Sequence, residues 1–261
     1  MRIELDGQVH VITGAGRGIG LATAQLIARS GGTPVLVARS EATIEAAAEA
    51  LRGEGLAAAA FAADISDEAR CGALVKHVMA EHGRIDGIIN NAATNTVGNL
   101  VMSKEKDWRG VFDINVFALM RLTKLCVRPM ISAKSGRVVN VSSVAGKIGA
   151  AYTSAYAASK AAVDAFTRSV AREVGKLGIT ANAVSPWHVD TEHLRAGMAK
   201  RAKLFGKSTD EYMAEIAATN PQQRILDPEE VAATIVFLLS PHARGINGQA
   251  INVCGGMVMG C

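Results

Sequence analysis

The chain has 261 residues, 49% hydrophobic and 20% charged, with 28 Lys and Arg against 24 Asp and Glu for a net charge of +4. Such a length buries roughly three quarters of its unfolded surface, and so mild a charge excludes the dense single-sign field of a nucleic-acid binder. The longest apolar runs, residues 56–63 and, across one threonine, 231–239, fall well short of the ~20 residues that span a bilayer, so no membrane partner is expected.

Residues 8–13 alternate as a strand does and break into Gly14-Ala15-Gly16-Arg17-Gly18-Ile19-Gly20. After that break Leu21, Ala24, Ile27 and Ala28 recur at helical spacing up to Ser30. Gly31-Gly32 ends the helix, residues 34–38 read as a buried strand, and the Ala/Glu-rich residues 41–51 as a second helix. The pattern repeats, with short apolar runs at 57–62, 87–90, 137–141, 179–184 and 249–253 separated mostly by helical segments. It predicts an α/β fold, a doubly wound parallel sheet of the Rossmann type covered on both faces. With no linker, repeat or shift of composition, residues 1–261 read as a single domain. One stretch breaks the rhythm: residues 187–228, polar and mostly helical, fall between the sixth and seventh strands, where an insertion covers the carboxyl ends of the strands. It is read as a substrate lid. The glycine turn follows the start so closely that no secretory leader fits before it, and Cys71, Cys126, Cys254 and Cys261 form no C-x-x-C pair. Free thiols and a cytoplasmic location are expected.

The chemistry-bearing residues fall into two groups. Glycines between a first strand and a first helix let the backbone approach a pyrophosphate, whose charge then faces the helix N-terminus; Gly14, Gly16, Gly18 and Gly20 therefore predict a dinucleotide site. Tyr156 and Lys160 stand four apart in a helical run over 153–175, which places an ammonium one turn from a phenol. A cation so placed favours phenolate and is expected to lower the tyrosine pKa from ~10 towards neutrality, giving a general acid/base. Alone, the pair also fits a surface Tyr/Lys contact.

With Asp113-Ile114-Asn115 and a strand ending in Ser142-Ser143 upstream, the chain resembles the short-chain dehydrogenase/reductase superfamily over nearly its whole length. The motifs are T-G-x-x-x-G-x-G at residues 13–20, N-N-A at 90–92, Ser143 thirteen residues before Tyr156, and Y-x-x-x-K, in family order and spacing. The resemblance implies that Tyr156 exchanges a proton with a ketone or alcohol oxygen and that Lys160 lowers its pKa and holds the nicotinamide ribose. It implies further that Ser143 hydrogen-bonds the substrate oxygen and that Asn115 anchors a relay water. Ser142 should point away. The hydride belongs to the cofactor. Arg17, Ile19, Ile65, Asn91, Ala92, Pro186, Val189 and Thr191 complete the expected cofactor contacts, and Asp64 matches an adenine-contacting acid. At the end of the second strand, where an acid would accept the ribose hydroxyls of NAD, this chain has Arg39-Ser40. Arg39 and Arg17 are expected to clamp a 2′-phosphate, so NADP is the expected cofactor, with NAD the alternative.

Three departures from the family pattern stand out. Ala93 replaces a common glycine, and Trp187 stands where a glycine follows the proline. The indole could wall the pocket, stack on substrate or point outward. Arg195, Lys200, Arg201, Lys203 and Lys207 form an acid-free basic run that is either a solvated face or a site for an anionic substrate. His188 and His193 lack the i,i+4 spacing of a zinc pair, so no metal is expected. The expected function is NADP(H)-dependent reduction of a ketone or oxidation of a secondary alcohol, with a 3-oxoacyl thioester leading. An NAD-linked alcohol or hydroxy-acid dehydrogenase is the alternative, and a non-catalytic nucleotide-sensing regulator the reading from another class. By resemblance, residues 106–134 and the Tyr156 helix supply subunit contacts through Phe112, Val116, Leu119, Phe166 and Val170, implying a homotetramer.

Overall fold

A computed structural model describes residues 3–259; Cys261 lies outside them. Seven parallel strands form one sheet in the order β3-β2-β1-β4-β5-β6-β7. They are β1 (Val9–Thr13), β2 (Thr33–Ala38), β3 (Ala59–Ala62), β4 (Gly87–Asn90), β5 (Gly136–Val141), β6 (Ile179–Pro186) and β7 (Ala250–Val253). Each matches a run anticipated from sequence within two residues at either end. One face packs α1 (Gly18–Arg29), α2 (Glu41–Gly53) and α10 (Pro228–Leu239) through Ile27, Ile44 and Ile235. The other packs α3 (Glu68–His82), α5 (Leu119–Ala133) and α7 (Ser154–Val174) through Leu74, Leu122 and Val170. Burial on both faces is why the strands read as continuous apolar runs.

The sheet also carries a buried polar chain. Asn90 Nδ2 donates to Thr123 Oγ1 (2.9 Å) and to Asn140 Oδ1 (2.8 Å), and Asn140 Nδ2 donates to Thr167 Oγ1 (2.8 Å). These bonds run from β4 and β5 to α5 and α7. The two amide donors are thereby paired, while Asn90 Oδ1 is buried without a partner, and the bonds tie α7 to the sheet.

The segment over residues 106–134 is built of three pieces: α4 (Glu105–Phe112), a π-helical stretch over Asp113–Ala118, and α5, which continues through Pro129. The wider π turn rotates the side chains that follow it. Val116, Leu119 and Val170, expected at a subunit contact, are buried within this chain, whereas Phe117 and Met120 are exposed. Phe112 and Phe166 are half-buried. The lid segment forms α8 (Glu192–Leu204) and α9 (Thr209–Thr219), closed at its base by a bridge between Val189 and Leu226. The short helix α6 (Ala145–Ile148) follows β5.

Candidate active site

At the carboxyl end of β1 the backbone turns through Gly14 (φ +66°) and Gly18 (φ +54°) into α1. A Cβ on Gly14 would lie 2.9 Å from Asn91 Nδ2, and one on Gly18 2.8 Å from Thr191 Cγ2. Helix α1 begins at Arg17 with no side-chain cap and no acid in its first turn, which leaves its first N–H groups free for an anion. Thr13 and Asn91, on neighbouring strand ends, hold the turn in place. Asn91 Nδ2 donates to the carbonyls of Thr13 (2.9 Å) and Gly14 (3.1 Å), while Thr13 Oγ1 accepts from the N–H groups of Asn91 and Ala92, both at 3.0 Å. β1 and β4 are adjacent although not consecutive, so the turn lies at the switch point of the sheet, where open α/β folds bind ligands.

Arg39 and Ser40 follow β2 and are exposed. The Ser40 side chain caps α2 by accepting from Thr43 N–H. Asp64 Oδ1 accepts from Ser66 N–H (2.9 Å) and Oγ (2.7 Å); these bonds, aided by the nearby Arg39 charge, hold its pKa below the usual carboxylate value. Ile65 behind it is buried. The expected two-arginine clamp is not assembled, because Arg17 pairs instead with Glu192 at 2.6 Å, joining the glycine turn to the first turn of the lid. Both partners are exposed, so the pair is weak and exchangeable. Pro186, Val189 and Thr191 line the path from β6 into the lid, and Thr191 caps α8 by accepting from Leu194 N–H at 3.1 Å.

Ser143, Tyr156 and Lys160 meet beyond the end of β5. Lys160 is 2% exposed, its Nζ donates to the Val141 carbonyl at 2.7 Å, and it stands 5.6 Å from the centroid of the Tyr156 ring. Burial lowers its pKa from 10.5 to about 8, against a smaller upward pull from Asp164. The expected direction for Tyr156 is corrected: burial raises its pKa, opposed by a side-chain hydrogen bond with Ser143. The ammonium is turned to a backbone carbonyl rather than to the phenol, so desolvation prevails. Ser143 Oγ also accepts from Ala145 N–H (3.1 Å), whereas Ser142 Oγ turns to the Lys160 carbonyl (3.2 Å), facing away from the site as alternation predicts.

Asn115 lies in the π-helical stretch. Its Nδ2 donates to the Thr94 carbonyl (2.9 Å) and Ser159 Oγ (3.0 Å), and its Oδ1 accepts from Thr94 N–H (2.8 Å). The side chain is thus spent on tying the loop after β4 to α7, leaving one lone pair for the water that resemblance assigned to it. Trp187 is half-buried with its ring 4.4 Å from that of His188. Burial, reinforced by Arg201, lowers the His188 pKa to about 4. Ala93 has no positive φ, so the lost glycine is tolerated. Among the described residues no group of three or more His, Cys, Asp or Glu is placed to hold a metal ion, and no helix is long and apolar enough to cross a membrane. The Asn91 side-chain clamp and the Arg17–Glu192 and Arg201 contacts escape sequence reading because each joins residues distant in the chain.

A parallel sheet with a glycine turn at its switch point and a Ser-Tyr-Lys cluster beyond β5 defines a nucleotide-dependent oxidoreductase. Residues 14–258 match the family model described as enoyl-(acyl carrier protein) reductase, and the chain belongs to the short-chain dehydrogenase/reductase family. The 3-oxoacyl-[acyl-carrier-protein] reductase FabG of Vibrio harveyi is 36% identical over 259 residues, covering 98% of this chain and 100% of that protein. FabG of Escherichia coli (strain K12) is 32% identical over 259 residues, with the same coverage. The structure of a single-substitution variant of actinorhodin polyketide ketoreductase with NADPH superposes with a TM-score of 0.93 at 32% identity, covering 96% of this chain and 97% of that one. That of NAD+-bound xylitol dehydrogenase gives 0.92 at 28% identity, covering 96% and 99%. This protein is accordingly an oxidoreductase acting on a carbonyl/CH–OH pair.

Proposed function

We propose that the enzyme reduces the ketone of a 3-oxoacyl thioester or related substrate with NADPH. The observation that carries this reading is the cluster of Ser143, Tyr156 and Lys160 at the same carboxyl end of the sheet as the glycine turn. The residues fit a phosphorylated dinucleotide: the glycine cradle would be filled by any Cβ, the first N–H groups of α1 are open, and the end of β2 offers Arg39 rather than an acid. The NADPH-bound ketoreductase and the FabG relatives support the same choice.

When bound, NADPH supplies the hydride. The glycine turn and α1 would hold the pyrophosphate, and Arg39 would meet the 2′-phosphate. Asp64 and Ile65 would border the adenine, and Asn91, Ala92, Pro186, Val189 and Thr191 the nicotinamide half. Ser143 donates to the substrate oxygen. Tyr156 delivers its phenolic proton to that oxygen, a task suited to the protonated form that burial maintains. Lys160 would hold the nicotinamide ribose, and its ammonium would stabilise the phenolate left on Tyr156 when the proton has gone to the substrate oxygen. Helices α8 and α9 serve as the substrate lid on a single domain, and Asn115 keeps the loop after β4 in register with α7.

The exposed Phe117 and Met120, and a groove lined by Trp108, Phe112 and Phe117, fit association with further copies of the chain as a homotetramer. A cytoplasmic location agrees with three buried free thiols among the described residues. The test is initial-rate consumption of NADPH or NADH with a 3-oxoacyl thioester, and reduction of NADP or NAD with secondary alcohols. Preference for NADPH and the thioester is expected; faster turnover of NAD with alcohols would overturn the reading.

A further inference from the structure

Of the five cations in the basic run of the lid, four are accounted for by solvent or acids. Arg195 forms a two-bond pair with Asp190 (2.8 and 2.7 Å), and Lys207 Nζ holds both oxygens of Glu215 at 2.6 Å. Lys200 and Lys203 are exposed. The run as a whole is therefore mostly solvated face. Arg201 differs. It is half-buried, has no carboxylate within salt-bridge distance among the described residues, and its Nη2 donates to Thr153 Oγ1 at 3.3 Å.

Thr153 is 2% exposed and is the N-cap residue of α7, three positions before Tyr156. At 1.5 Å of rise per residue, those three positions amount to about one helical turn, ~4.5 Å along the axis. The guanidinium is thus anchored to the N-terminal end of the helix that carries Tyr156. Near it lies His188, neutral at physiological pH with its ring tilted against that of Trp187, and no carboxylate among the described residues balances the charge. Arg201 has five N–H donors and uses one. A half-buried guanidinium with unused donors, held by the lid against the start of the Tyr156 helix, is suited to recognise an acceptor oxygen.

We propose that Arg201, steadied by Thr153, binds a second acceptor oxygen of the substrate one or two carbons from the carbonyl that is reduced, which makes the enzyme selective for β-dicarbonyl compounds over simple ketones. This rests on the reductase reading above. The acceptor is either the carbonyl of an ester or thioester or the carboxylate of a free 3-oxo acid, two sources of the same contact.

The experiment compares kcat/KM, with NADPH, for a 3-oxo ester, the free 3-oxo acid, and a monoketone of equal length lacking the second oxygen. The wild-type enzyme, Arg201→Met and Arg201→Lys are assayed together. Arg201→Met should cut the preference for a β-dicarbonyl over the monoketone by ~10- to 100-fold, the scale of one hydrogen bond to a charged group, chiefly through KM. Arg201→Lys should restore part of it. A larger loss on the acid identifies a carboxylate as the natural acceptor, and a larger loss on the ester a carbonyl; either supports the contact. An unchanged preference ratio in both variants overturns it. If the wild-type enzyme turns over no ketone with NADPH, the reductase reading fails instead, and a melting curve and NADPH titration of each variant identify any that misfolds.

Discussion

Lys160 is placed for chemistry at the expense of the fold, and replacing it should show this. Burial moves its pKa from 10.5 in the open chain to about 8, so carrying the charge into the folded state costs about 3 kcal/mol at neutral pH. Lys160→Met keeps the length and removes the charge. It also strips the Val141 carbonyl of its 2.7 Å donor, which costs ~1–3 kcal/mol. The balance is a gain of about 1 kcal/mol, which for a chain of this size raises Tm by ~2–4 °C. The pH dependence separates this origin from better packing. Because the folded-state pKa lies below the unfolded one, the unfolded chain binds more protons between about pH 8 and 10.5, and wild-type stability rises through that window. The advantage of Lys160→Met should therefore be constant below about pH 8 and shrink above it. Thermal unfolding followed by circular dichroism across this range gives the measurement, and turnover of the same variant should be lost. A variant that melts below wild type by several degrees, or a gap that does not narrow at alkaline pH, would refute the reasoning.

Tyr156→Phe keeps the ring and removes the acid, so kcat should fall by ~10²–10⁴ while NADPH affinity, read by fluorescence titration, stays within about twofold. Arg39→Asp should lower the NADPH over NADH preference in kcat/KM by ~10- to 100-fold, the size of a lost charge-assisted contact plus repulsion; an unaltered ratio would remove Arg39 from the cofactor site. Gly20→Ala drives a Cβ into the Gly14 carbonyl and to 2.7 Å from Asn91 Nδ2, and should weaken cofactor binding by at least ~10-fold in the same titration. His10 is fully buried, and desolvation lowers its pKa to about 4, so the folded state resists its protonation. Stability should fall as pH drops from about 6.5 towards 4, and His10→Leu should flatten that part of the unfolding curve.

The alternation of short apolar runs with helical spacing carried the architecture in local pattern. A strand buried on both faces must be apolar throughout, and residues 87–90 and 137–141 show it without reference to any other part of the chain. The glycine turn was legible for the same reason, since Gly14 and Gly18 adopt positive φ within a few residues of one another. Tyr156 and Lys160 were legible as a pair because helical geometry places i and i+4 together. What the pair does to its own protons was not. Proximity in sequence predicted a lowered phenol pKa, whereas the burial that α7 acquires against β5 and its polar chain raises it. Nor did sequence show the π turn at Asp113–Ala118 or the exposure of Phe117 and Met120, because the departure from 3.6 residues per turn is set by packing. The basic run was visible as five cations, yet which of them is held against the start of the Tyr156 helix depends on where Asp190, Glu215 and Thr153 lie in space. Sequence by itself determined the elements, their order and the spacing of Ser143, Tyr156 and Lys160, since these follow from backbone propensity and local pattern. The tertiary structure alone decided their charge states, their partners and the inward turn of Arg201, because desolvation and pairing depend on atoms brought together from distant parts of the chain.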